Sequence, residues 1–389
     1  MIAPPRVAVS RLPNASYVNE TTGPVGGVTN FARRKCARND NEGDMNLHEQ
    51  ICEWENLRLA YANASRGKRG RGATALFESL LADNLLDLER ELREQTYQPG
   101  EYSNFFIHEP KKRLISAAPF RDRVVHHALC NITVPYFERL FIADSYANRV
   151  GKGTHRAIDR CQQFARKYKY VLQCDLAQFF PSIDHEVLRE TLKRMLPDES
   201  VMWLLDRILA SGRGVLAGEY DMAYFPGDDL LAVTRPRGLP IGNLTSQLWA
   251  NCYLNPFDHF IRRELGCVAY LRYVDDSLLF GDDKKEMMGW RDAMVERLEC
   301  LRLTLHAGSA HPYPVGAGIP FLGFRIFPNH RRLKQRKGFA YRRKLRHLIE
   351  YGGREAARAS IEGWINHVRY ADTFHLRQSI LKEFDLLYA

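Results

Sequence analysis

Two adjacent carboxylates, Asp275 and Asp276, interrupt a run of residues with strand character. The segment reads Leu271-Arg-Tyr-Val-Asp-Asp-Ser-Leu-Leu-Phe280, so an apolar stretch breaks off at two acids and then resumes. Asp is rarely buried unless it is paired with a cation or bound to a metal ion. A hairpin turn that presents two carboxylates suits a hard divalent cation that keeps positions open for phosphate oxygens. An acidic pair alone also describes a solvated turn, so a third carboxylate on another strand is needed to indicate a metal site.

Asp175 is the candidate for that third carboxylate. It follows Lys169-Tyr-Val-Leu-Gln-Cys174, an apolar segment that predicts a buried strand. Asp184, further along, is interpreted as the N-cap of a helix that begins near His185. Asp175 lies where the strand turns, too early to cap that helix. The sequence therefore predicts a metal-binding role for Asp175 rather than a capping role.

Four segments in this order resemble the motifs of reverse transcriptases. They are Asp175-x-x-x-Phe-Phe, Gly238-Leu-Pro-Ile-Gly-Asn-Leu-Thr-Ser-Gln247, Tyr273-Val-Asp-Asp276 and Phe321-Leu-Gly-Phe324. The resemblance covers most of the chain, from about Trp54 onward. The Ile-Gly-x-x-x-Ser-Gln form resembles the reverse transcriptases of diversity-generating retroelements, whereas many others carry Gln-Gly-x-x-x-Ser-Pro. Two N-terminal segments are also similar to that group, Ile51-Cys-Glu-Trp-Glu-Asn-Leu57 and Ser65-Arg-Gly-Lys-Arg69.

The resemblance implies an α+β fold of the right-hand polymerase type, with fingers, a palm of antiparallel sheet plus helices, and a small helical thumb. On that plan the N-terminal helices and fingers span residues 45–170, the palm 171–328 and the thumb 329–389. The palm carries an extra segment at 211–236, expected to be a hairpin-like polar surface loop. Residues 1–44 lack periodicity, so we expect them to be disordered, or a mis-annotated extension if translation begins at Met45.

The resemblance also implies the chemistry of the acidic residues. In two-metal phosphoryl transfer, one ion activates the attacking 3′-hydroxyl and the other stabilises the leaving pyrophosphate. Asp175, Asp275 and Asp276 are then the catalytic residues, the first and second of them bridging the metals. The expected cofactor is a pair of Mg²⁺ ions, for which Mn²⁺ can substitute. The metal site is assigned to Asp175, Leu176, Asp275 and Asp276.

Contacts to the incoming nucleotide follow from the same resemblance. Cations of the fingers are expected to hold the triphosphate, because Arg grips phosphate with two parallel hydrogen bonds. Phe180 is expected to exclude a 2′-hydroxyl and so select deoxynucleotides, although a plain core aromatic is the competing interpretation. Lys111 and Lys112 are as well explained by a solvated surface. The expected contacts are Arg113, Arg149, Lys152, Phe180, Ile241, Gly242 and Gln247.

Ile241 bears on the accuracy of copying. An apolar Ile at a site often occupied by Gln lacks the hydrogen-bond donor that helps to hold the nascent base pair. Selectivity depends on differential binding of the transition state, so a looser pair weakens discrimination. The sequence therefore predicts an error-prone enzyme, and the resemblance implies that the errors fall particularly at template adenines and serve mutagenic retrohoming.

Composition agrees with a nucleic-acid partner. The chain has 389 residues, a formal net charge of +10 and a sequence pI of about 9.2. From His330 to His347 there are many cations and no acid, a stretch expected to follow a template–primer duplex. The partners that the resemblance implies are an RNA template, the nascent cDNA, dNTPs and a small basic accessory protein oligomer.

Cysteine usage and hydropathy address location. The eight cysteines form no CxxC pair, so zinc is not supported, and reduced thiols indicate the cytoplasm. No apolar stretch is long enough to span a membrane. We therefore expect a cytoplasmic protein with no membrane partner, and the resemblance implies that it is prokaryotic or phage-encoded.

Apolar side chains in two predicted helical regions, one in the fingers and one in the thumb, are expected to form cores. In the first, a leucine stripe is expected to form the core of the fingers: Leu76, Leu80, Leu81, Leu85, Leu88 and Leu92. In the thumb, Trp364, Val368 and Leu376 are expected to face inward.

Some questions stay open at this point. Many related polymerases carry a Lys after the segment that here reads Leu303-Thr-Leu-His306, to protonate the leaving pyrophosphate. No Lys follows here, which leaves His306, His311 or water.

An antiphage-defence or retron reverse transcriptase is the alternative within polymerases. An intron maturase-like RNA-binding scaffold is the alternative from another class, against which the short segment of about sixty residues after Phe324 counts.

Overall fold

A computed structural model describes residues 46–70, 72–108, 112–306 and 310–384. The predictions for residues 1–44 and for a start at Met45 lie outside the described residues, as does Lys111. The described residues divide into two compact units, a larger one that ends at Arg332 and a smaller one that begins at Leu333.

The larger unit begins with helices and a β-hairpin. Asn46 starts the first helix, because its side chain accepts a hydrogen bond from the His48 backbone N–H at 2.9 Å. Strands β1 and β2 pair antiparallel, from Ser103 opposite Ala117 to Ile107 opposite Arg113. The elements are α1 (Leu47–Cys52), α2 (Trp54–Ser65), α3 (Gly72–Ser79), α4 (Leu81–Arg93), β1 (Ser103–Ile107), β2 (Arg113–Ala117), α5 (Phe120–Leu140) and α6 (Thr154–Lys167).

The leucine stripe is only partly in the core. Leu85, Leu88 and Leu92 are buried as predicted, and Leu81 packs against the core from its margin. Leu76 and Leu80 are 75% and 60% exposed, so their assignment to the core is wrong. The reason is a break between two helices: α3 ends at Ser79, and Leu80 has φ −126° and ψ 44° before α4 begins. The helical spacing therefore does not continue along one face.

A four-stranded antiparallel sheet lies at the centre of the larger unit, with strand order β4-β5-β3-β6. Its strands are β3 (Tyr170–Cys174), β4 (Tyr270–Tyr273), β5 (Asp276–Gly281) and β6 (Tyr313–Pro314). The helices of this region are α7 (Phe179–Ser182), α8 (His185–Met195), α9 (Glu199–Ser211), α10 (Leu244–Arg263) and α11 (Lys284–Cys300). A second sheet contains β7 (Ile319–Phe321), β8 (Phe324–Ile326) and β9 (Arg331–Leu333). Helices and antiparallel sheets thus confirm the α+β class.

The core explains why these strands form. Val171 and Leu172 of β3 are fully buried, as are Leu278 and Leu279 of β5, so this sheet is apolar on both faces. Helix α10 packs large buried side chains, among them Trp249, into the same core. Removing such apolar surface from water is the main favourable term in folding. The carboxylates at the ends of β3 and β5 are therefore mounted on a rigid base.

Residues 211–236 do not form the expected hairpin. Between Gly212 and Pro236 the structure has two short 3₁₀ turns, Ala217–Glu219 and Leu230–Thr234, and no strand. Ion pairs hold the segment instead of a strand ladder, including Arg302 with Asp228 at 2.7 Å. Its surface is also less polar than expected, since Leu230 is 84% exposed.

Asp184 has the structural role that the sequence predicted. Its side chain caps α8 by accepting hydrogen bonds from the N–H groups of Glu186 and Val187. It is 2% exposed and also pairs with Arg235 at 2.7 Å. The capping prediction is confirmed, and the same carboxylate anchors the 211–236 segment.

The described residues of the smaller unit form two helices, α12 (Gln335–Val368), with a non-helical Gly353 at φ +75°, and α13 (Phe374–Glu383). Tyr341, Leu345, Ala357, Ile361 and Ile380 form its core. Val368 is buried as predicted. Trp364 stacks on Tyr341 with ring centres 4.4 Å apart, and Leu376 packs at the margin of this core.

The described cysteines are free thiols, and Cys130, Cys174 and Cys252 are among the buried ones. Over the part of the chain that the structure describes, no helix is both long and apolar enough to cross a membrane.

Candidate active site

The acidic pair lies at a tight hairpin between β4 and β5. Tyr273 pairs with Asp276, which leaves Val274 and Asp275 as the two residues of the turn. Val274 has φ +57°, a conformation that β-branched residues rarely adopt. Two-residue hairpin turns need a positive φ at the first turn position, where Gly, Asn or Asp is usual. A Val in that position is a strained feature next to the carboxylates, and such strain clusters at functional sites.

Asp175 lies beside this hairpin because β3 pairs with β5. The paired register ends at Cys174 opposite Ser277, and its continuation by one residue places Asp175 next to Asp276. The backbone carbonyl of Asp175 accepts a hydrogen bond from the His306 N–H at 2.8 Å, which fixes the chain where β3 ends. Asp175 and Asp276 line one cavity of about 570 Å³. The structure thus brings the predicted carboxylates of two strands to a shared space.

Asp275 is electrostatically coupled to Asp175. Burial raises the pKa of Asp275, and the negative charge of Asp175 raises it further. A hydrogen bond from the Asp275 backbone N–H and the positive charges of Arg113 and Arg272 act in the opposite direction. Like charges held close together favour protonation unless a cation compensates them. The site therefore has the electrostatic character of one that binds cations.

The donor set fits Mg²⁺ that is shared with a substrate. Among the described residues, no group of three or more His, Cys, Asp or Glu side chains could hold a metal ion by itself. Mg²⁺ commonly binds through one or two carboxylates and completes its shell with water and substrate phosphates. The Leu176 side chain is buried, so only its backbone carbonyl could reach an ion. Asp175, Asp275 and Asp276 are all half-buried and supply oxygen ligands only.

Phe180, Ile241 and strand β2 are linked by hydrogen bonds. The Phe180 carbonyl accepts from the Leu239 N–H at 2.9 Å, so the segment that leads to Ile241 runs beside Phe180. The Ile241 carbonyl in turn accepts from the Ser116 N–H of β2 at 2.9 Å. Phe180 is half-buried, with its ring in edge contact with Phe179 at 5.4 Å. Three of the predicted nucleotide-contact regions are therefore connected directly.

The glycine and glutamine of the same motif lie on either side of Asn243. Gly242 is exposed and has φ +117°, which glycine adopts without steric cost. The Asn243 side chain donates to the Ser116 carbonyl at 2.9 Å and accepts from the Ala118 N–H at 3.1 Å. Gln247 is half-buried in the first turn of α10. Asn243, which was not singled out in the sequence, is thus the residue that fixes this motif on β2.

Arg113 and Arg149 differ in their surroundings. Arg113 is exposed and lies near enough to Asp275 to lower its pKa. The Arg149 side chain is 6% exposed and pairs with Glu138 at 2.8 Å. It also donates to the carbonyls of Ile142 and Ser145, so four of its five N–H groups are already engaged. A phosphate contact by Arg149 stays a prediction and would require part of this network to open.

Lys152 is similarly engaged, since its Nζ donates to the Ala143 carbonyl at 2.6 Å and lies 5.2 Å from the centre of the Tyr146 ring. Its described contacts and those of Arg149 lie within residues 138–152. The structure does not connect either cation to the carboxylates through a described contact, and the nucleotide role of Lys152 also stays a prediction.

Sequence reasoning missed a buried ion pair behind the hairpin. Arg272 of β4 and Asp258 of α10 are 1% and 0% exposed, with Nη2 and Oδ2 2.7 Å apart. A second bond of 2.7 Å joins Arg272 Nε to Asp258 Oδ1. The available signal was an Arg in an otherwise apolar strand, two positions before the first residue of the turn. The partner could not be inferred, because Asp258 lies fourteen positions earlier on a different element.

Three polar residues of the cavity were also missed. Gln173 of β3 and Tyr313 of β6 line it and are joined by a hydrogen bond from the Tyr313 hydroxyl at 3.1 Å. Arg325 of β8, which directly follows the Phe-Leu-Gly-Phe motif, lines it as well. A Gln within an apolar strand was the signal for the first of them.

Comparison with known proteins supports these motifs. The family model described as Reverse transcriptase (RNA-dependent DNA polymerase) matches residues 107–325, which is more than half of the chain. Protein YkfC of Escherichia coli K12 is 25% identical over 298 residues, covering 64% of this chain and 73% of that protein. The group II intron-encoded protein LtrA of Lactococcus lactis is 23% identical over 175 residues, covering 44% of this chain and 27% of LtrA.

Two further matches are a plant maturase and a solved telomerase structure. Nuclear intron maturase 1 of Arabidopsis thaliana is 29% identical over 90 residues, covering 23% of this chain and 13% of the maturase. The solved structure of apo telomerase from Candida tropicalis aligns with a TM-score of 0.43 at 10% identity, covering 79% of this chain and 63% of the telomerase. The chain thus spans less than a third of the two intron proteins. On the match over residues 107–325, the chain belongs to the reverse transcriptase family, the RNA-dependent DNA polymerases.

Proposed function

We propose that this chain copies an RNA template into DNA by two-metal nucleotidyl transfer. One observation carries the proposal: Asp175, directly after β3, and Asp276, the first residue of the neighbouring strand β5, line a single cavity, and the charge of Asp175 acts on Asp275. A purely structural hairpin would not need three carboxylates at one end of a buried sheet. The family to which the chain belongs has this activity.

The carboxylates and their neighbours divide the work. Asp175, Asp275 and Asp276 would hold two Mg²⁺ ions, or Mn²⁺ in their place, through their carboxylate oxygens. Bound there, the ions would activate the primer 3′-hydroxyl and neutralise charge on the leaving pyrophosphate. Arg113 lies near Asp275 and would pair with the triphosphate.

Phe180 supports the choice of deoxynucleotides. It comes five residues after Asp175 and is only half-buried, so part of its ring is available to a substrate. A ring beneath the sugar would clash with a 2′-hydroxyl but not with a 2′-hydrogen. Its carbonyl bond to Leu239 ties its position to the segment that carries Ile241.

We assign the enzyme to the diversity-generating retroelement type on the basis of the Ile241-Gly-x-x-x-Ser-Gln247 segment. Ile241 is half-buried, and its backbone is held on β2. Its side chain can offer a template base only apolar contact. Copying is therefore expected to tolerate errors at adenines and to serve mutagenic retrohoming, with a small basic accessory protein oligomer as partner. Cytoplasmic action in a prokaryote or its phage belongs to the same proposal.

Nucleic-acid binding by the smaller unit is supported by the first half of α12. Arg336, Lys337, Arg343, Lys344 and Arg346 are all exposed there. Cations on one helix can follow a phosphate backbone without reading bases. Binding to an RNA template and its cDNA should then weaken steeply with salt.

Two alternatives are carried forward. An antiphage-defence or retron reverse transcriptase would use the same carboxylates, so the neighbouring genes decide between these roles. A template repeat with a variable repeat would support the diversity-generating retroelement, whereas a retron RNA would support the alternative. An intron maturase-like RNA-binding scaffold is favoured by the similarity to LtrA and the plant maturase.

Primer extension on an RNA template with Mg²⁺ separates synthesis from scaffolding. We expect the wild type to incorporate dNTPs and Asp175→Asn to lose incorporation by on the order of 10³-fold while retaining RNA affinity. Asp282→Asn is the matched control, because Asp282 accepts the Lys169 N–H on the same sheet but lies away from the turn. RNA binding with no incorporation by the wild type would favour the scaffold.

A further inference from the structure

Arg272 joins the acidic hairpin to helix α10. Besides its two bonds to Asp258, its Nη1 donates to the Val274 carbonyl at 2.9 Å and to Asn251 Oδ1 at 3.2 Å. Asp258 also accepts the Tyr270 hydroxyl at 2.7 Å. All four of these partners lie on α10 or the β4–β5 hairpin, and the guanidinium is 1% exposed. Asp258 and Asn251 on α10 therefore fix the guanidinium of Arg272, and the guanidinium in turn holds the Val274 carbonyl of the turn.

The bond to Val274 fixes the orientation of one peptide group. The Val274 carbonyl and the Asp275 N–H belong to the same peptide unit, which is planar, with the two groups pointing in opposite directions when trans. Arg272 holds the carbonyl, and the Asp275 N–H donates to the Asp275 carboxylate. Holding the carbonyl inward thus directs the N–H outward, toward the carboxylate.

The turn needs such a restraint. Val274 adopts φ +57°, which costs free energy for a β-branched residue and persists only when the surroundings impose it. Without the bond from Arg272, the peptide could rotate to relieve this strain. The Asp275 carboxylate would then lose the hydrogen bond that orients it.

We propose that Arg272, itself fixed by Asp258, is a positioning residue that holds the Val274–Asp275 peptide so that the Asp275 carboxylate faces the metal site. This inference rests on the proposed function, in which Asp275 is a metal ligand. Helix α10 would then have two functions. It carries Gln247, an expected nucleotide contact, at its start, and it carries Asp258, which fixes Arg272, further along. Arg272 touches neither substrate nor metal and acts only through the turn.

A double variant tests the proposal without leaving an unpaired buried charge. Removing one partner of a buried ion pair strands the other, whereas replacing both by neutral groups is often tolerated. Arg272→Met with Asp258→Asn removes the clamp, and an amide at position 258 can still accept the Tyr270 hydroxyl. We expect the melting temperature to change little and kcat to fall by on the order of 100-fold, because small misplacements of a catalytic group are costly. The KM for dNTP should stay within about threefold, since the ground-state contacts are unchanged.

The affinity for metal ions is a second measurement, and the loss of a purely structural residue would not change it. Mn²⁺ binding, titrated by electron paramagnetic resonance, is expected to weaken by about tenfold in the double variant, as for loss of an outer-shell contact. Adding Val274→Gly should recover part of both losses, because glycine adopts a positive φ without the clamp. The control is Arg189→Gln with Asp206→Asn, which removes a half-exposed pair between α8 and α9.

The outcomes separate cleanly. A folded double variant with wild-type kcat and Mn²⁺ affinity overturns the proposal, as does a loss that Val274→Gly does not change. If the double variant does not fold, Arg272→Lys is used instead, because it keeps the charge beside Asp258 but lacks the guanidinium fork. Wild-type Mn²⁺ affinity in Arg272→Lys would also overturn the proposal. If the wild type binds Mn²⁺ but makes no DNA, the proposed function fails, and the comparison of Mn²⁺ affinities still decides this inference.

Discussion

Gln178 and Asp221 form a reciprocal hydrogen-bonded pair. Gln178 Nε2 donates to Asp221 Oδ2 at 2.8 Å, and the Asp221 N–H donates to Gln178 Oε1 at 3.0 Å. Gln178 lies in the loop between Asp175 and Phe180 and has φ +45°, a left-handed conformation. Asp221 belongs to the 211–236 segment. The pair therefore ties this segment to the loop between Asp175, the proposed catalytic carboxylate, and Phe180, the proposed sugar gate.

The first prediction concerns this tie. Asp221→Ala should lower kcat by about threefold and leave the melting temperature nearly unchanged, because an exposed hydrogen bond contributes only about 1 kcal/mol. Single-turnover primer extension measures the change. Glu219→Ala, in the same segment, is the control and should behave as the wild type. Equal rates for Asp221→Ala and the wild type would mean that the segment does not support the loop.

The second prediction concerns Phe180. Phe180→Ala should raise the relative kcat/KM for ribonucleotides by on the order of 10- to 100-fold, because the clash with the 2′-hydroxyl is removed. Phe179→Leu serves as a comparison, since Phe179 is 3% exposed and its ring contacts that of Phe180. Unchanged sugar selectivity together with a lower melting temperature would identify Phe180 as a plain core aromatic.

The third prediction concerns copying errors. Ile241→Gln restores a side-chain hydrogen-bond donor, and the frequency of misincorporation opposite template adenine should fall by several-fold, since small contact changes are worth about 1–3 kcal/mol in discrimination. Sequencing of the cDNA measures it. Ile241→Val, which adds no donor, is the control. An unchanged adenine error rate in Ile241→Gln would remove the support for mutagenic copying.

The fourth prediction concerns pH and His126, which is 2% exposed on α5. Burial lowers the pKa of His126 from 6.5 to about 3. Between these two pKa values the unfolded chain therefore binds a proton that the folded chain does not bind. The free energy of unfolding is consequently not reduced by His126 above about pH 6.5, and it decreases as the pH falls below that value. The slope is about 1.4 kcal/mol per pH unit for one such group.

Chemical unfolding at pH 7 and pH 5 measures this effect. His126→Phe should reduce the difference in the free energy of unfolding between these two pH values by about 2 kcal/mol. His375→Phe, at an exposed site in the smaller unit, should not change the difference. A wild-type difference that persists in full in His126→Phe would contradict the account.

Local sequence patterns predicted the parts of the fold that depend on neighbours in the chain. The apolar runs of β3 and β5 and the Asp184 cap are of this kind, since a strand and a cap are set by residues close in sequence. Leu80 was misassigned because one irregular residue ends the helical phase.

Tertiary partners could not be predicted in the same way. Arg149 has the residue type of a phosphate ligand, but Glu138 and two backbone carbonyls engage it. Arg272 reaches Asp258 only because α10 packs against the hairpin. The sequence indicates which groups carry charge, whereas packing decides which of those charges are already compensated.

The most direct test of the central claim is RNA-templated primer extension by Asp275→Asn, measured in a single turnover with saturating dNTP and Mg²⁺. The change removes one negative charge and keeps the shape of the side chain. We expect extension to fall by on the order of 10³-fold while template–primer affinity stays within about threefold. Extension at the wild-type rate by Asp275→Asn would contradict the assignment of the hairpin carboxylates to catalysis.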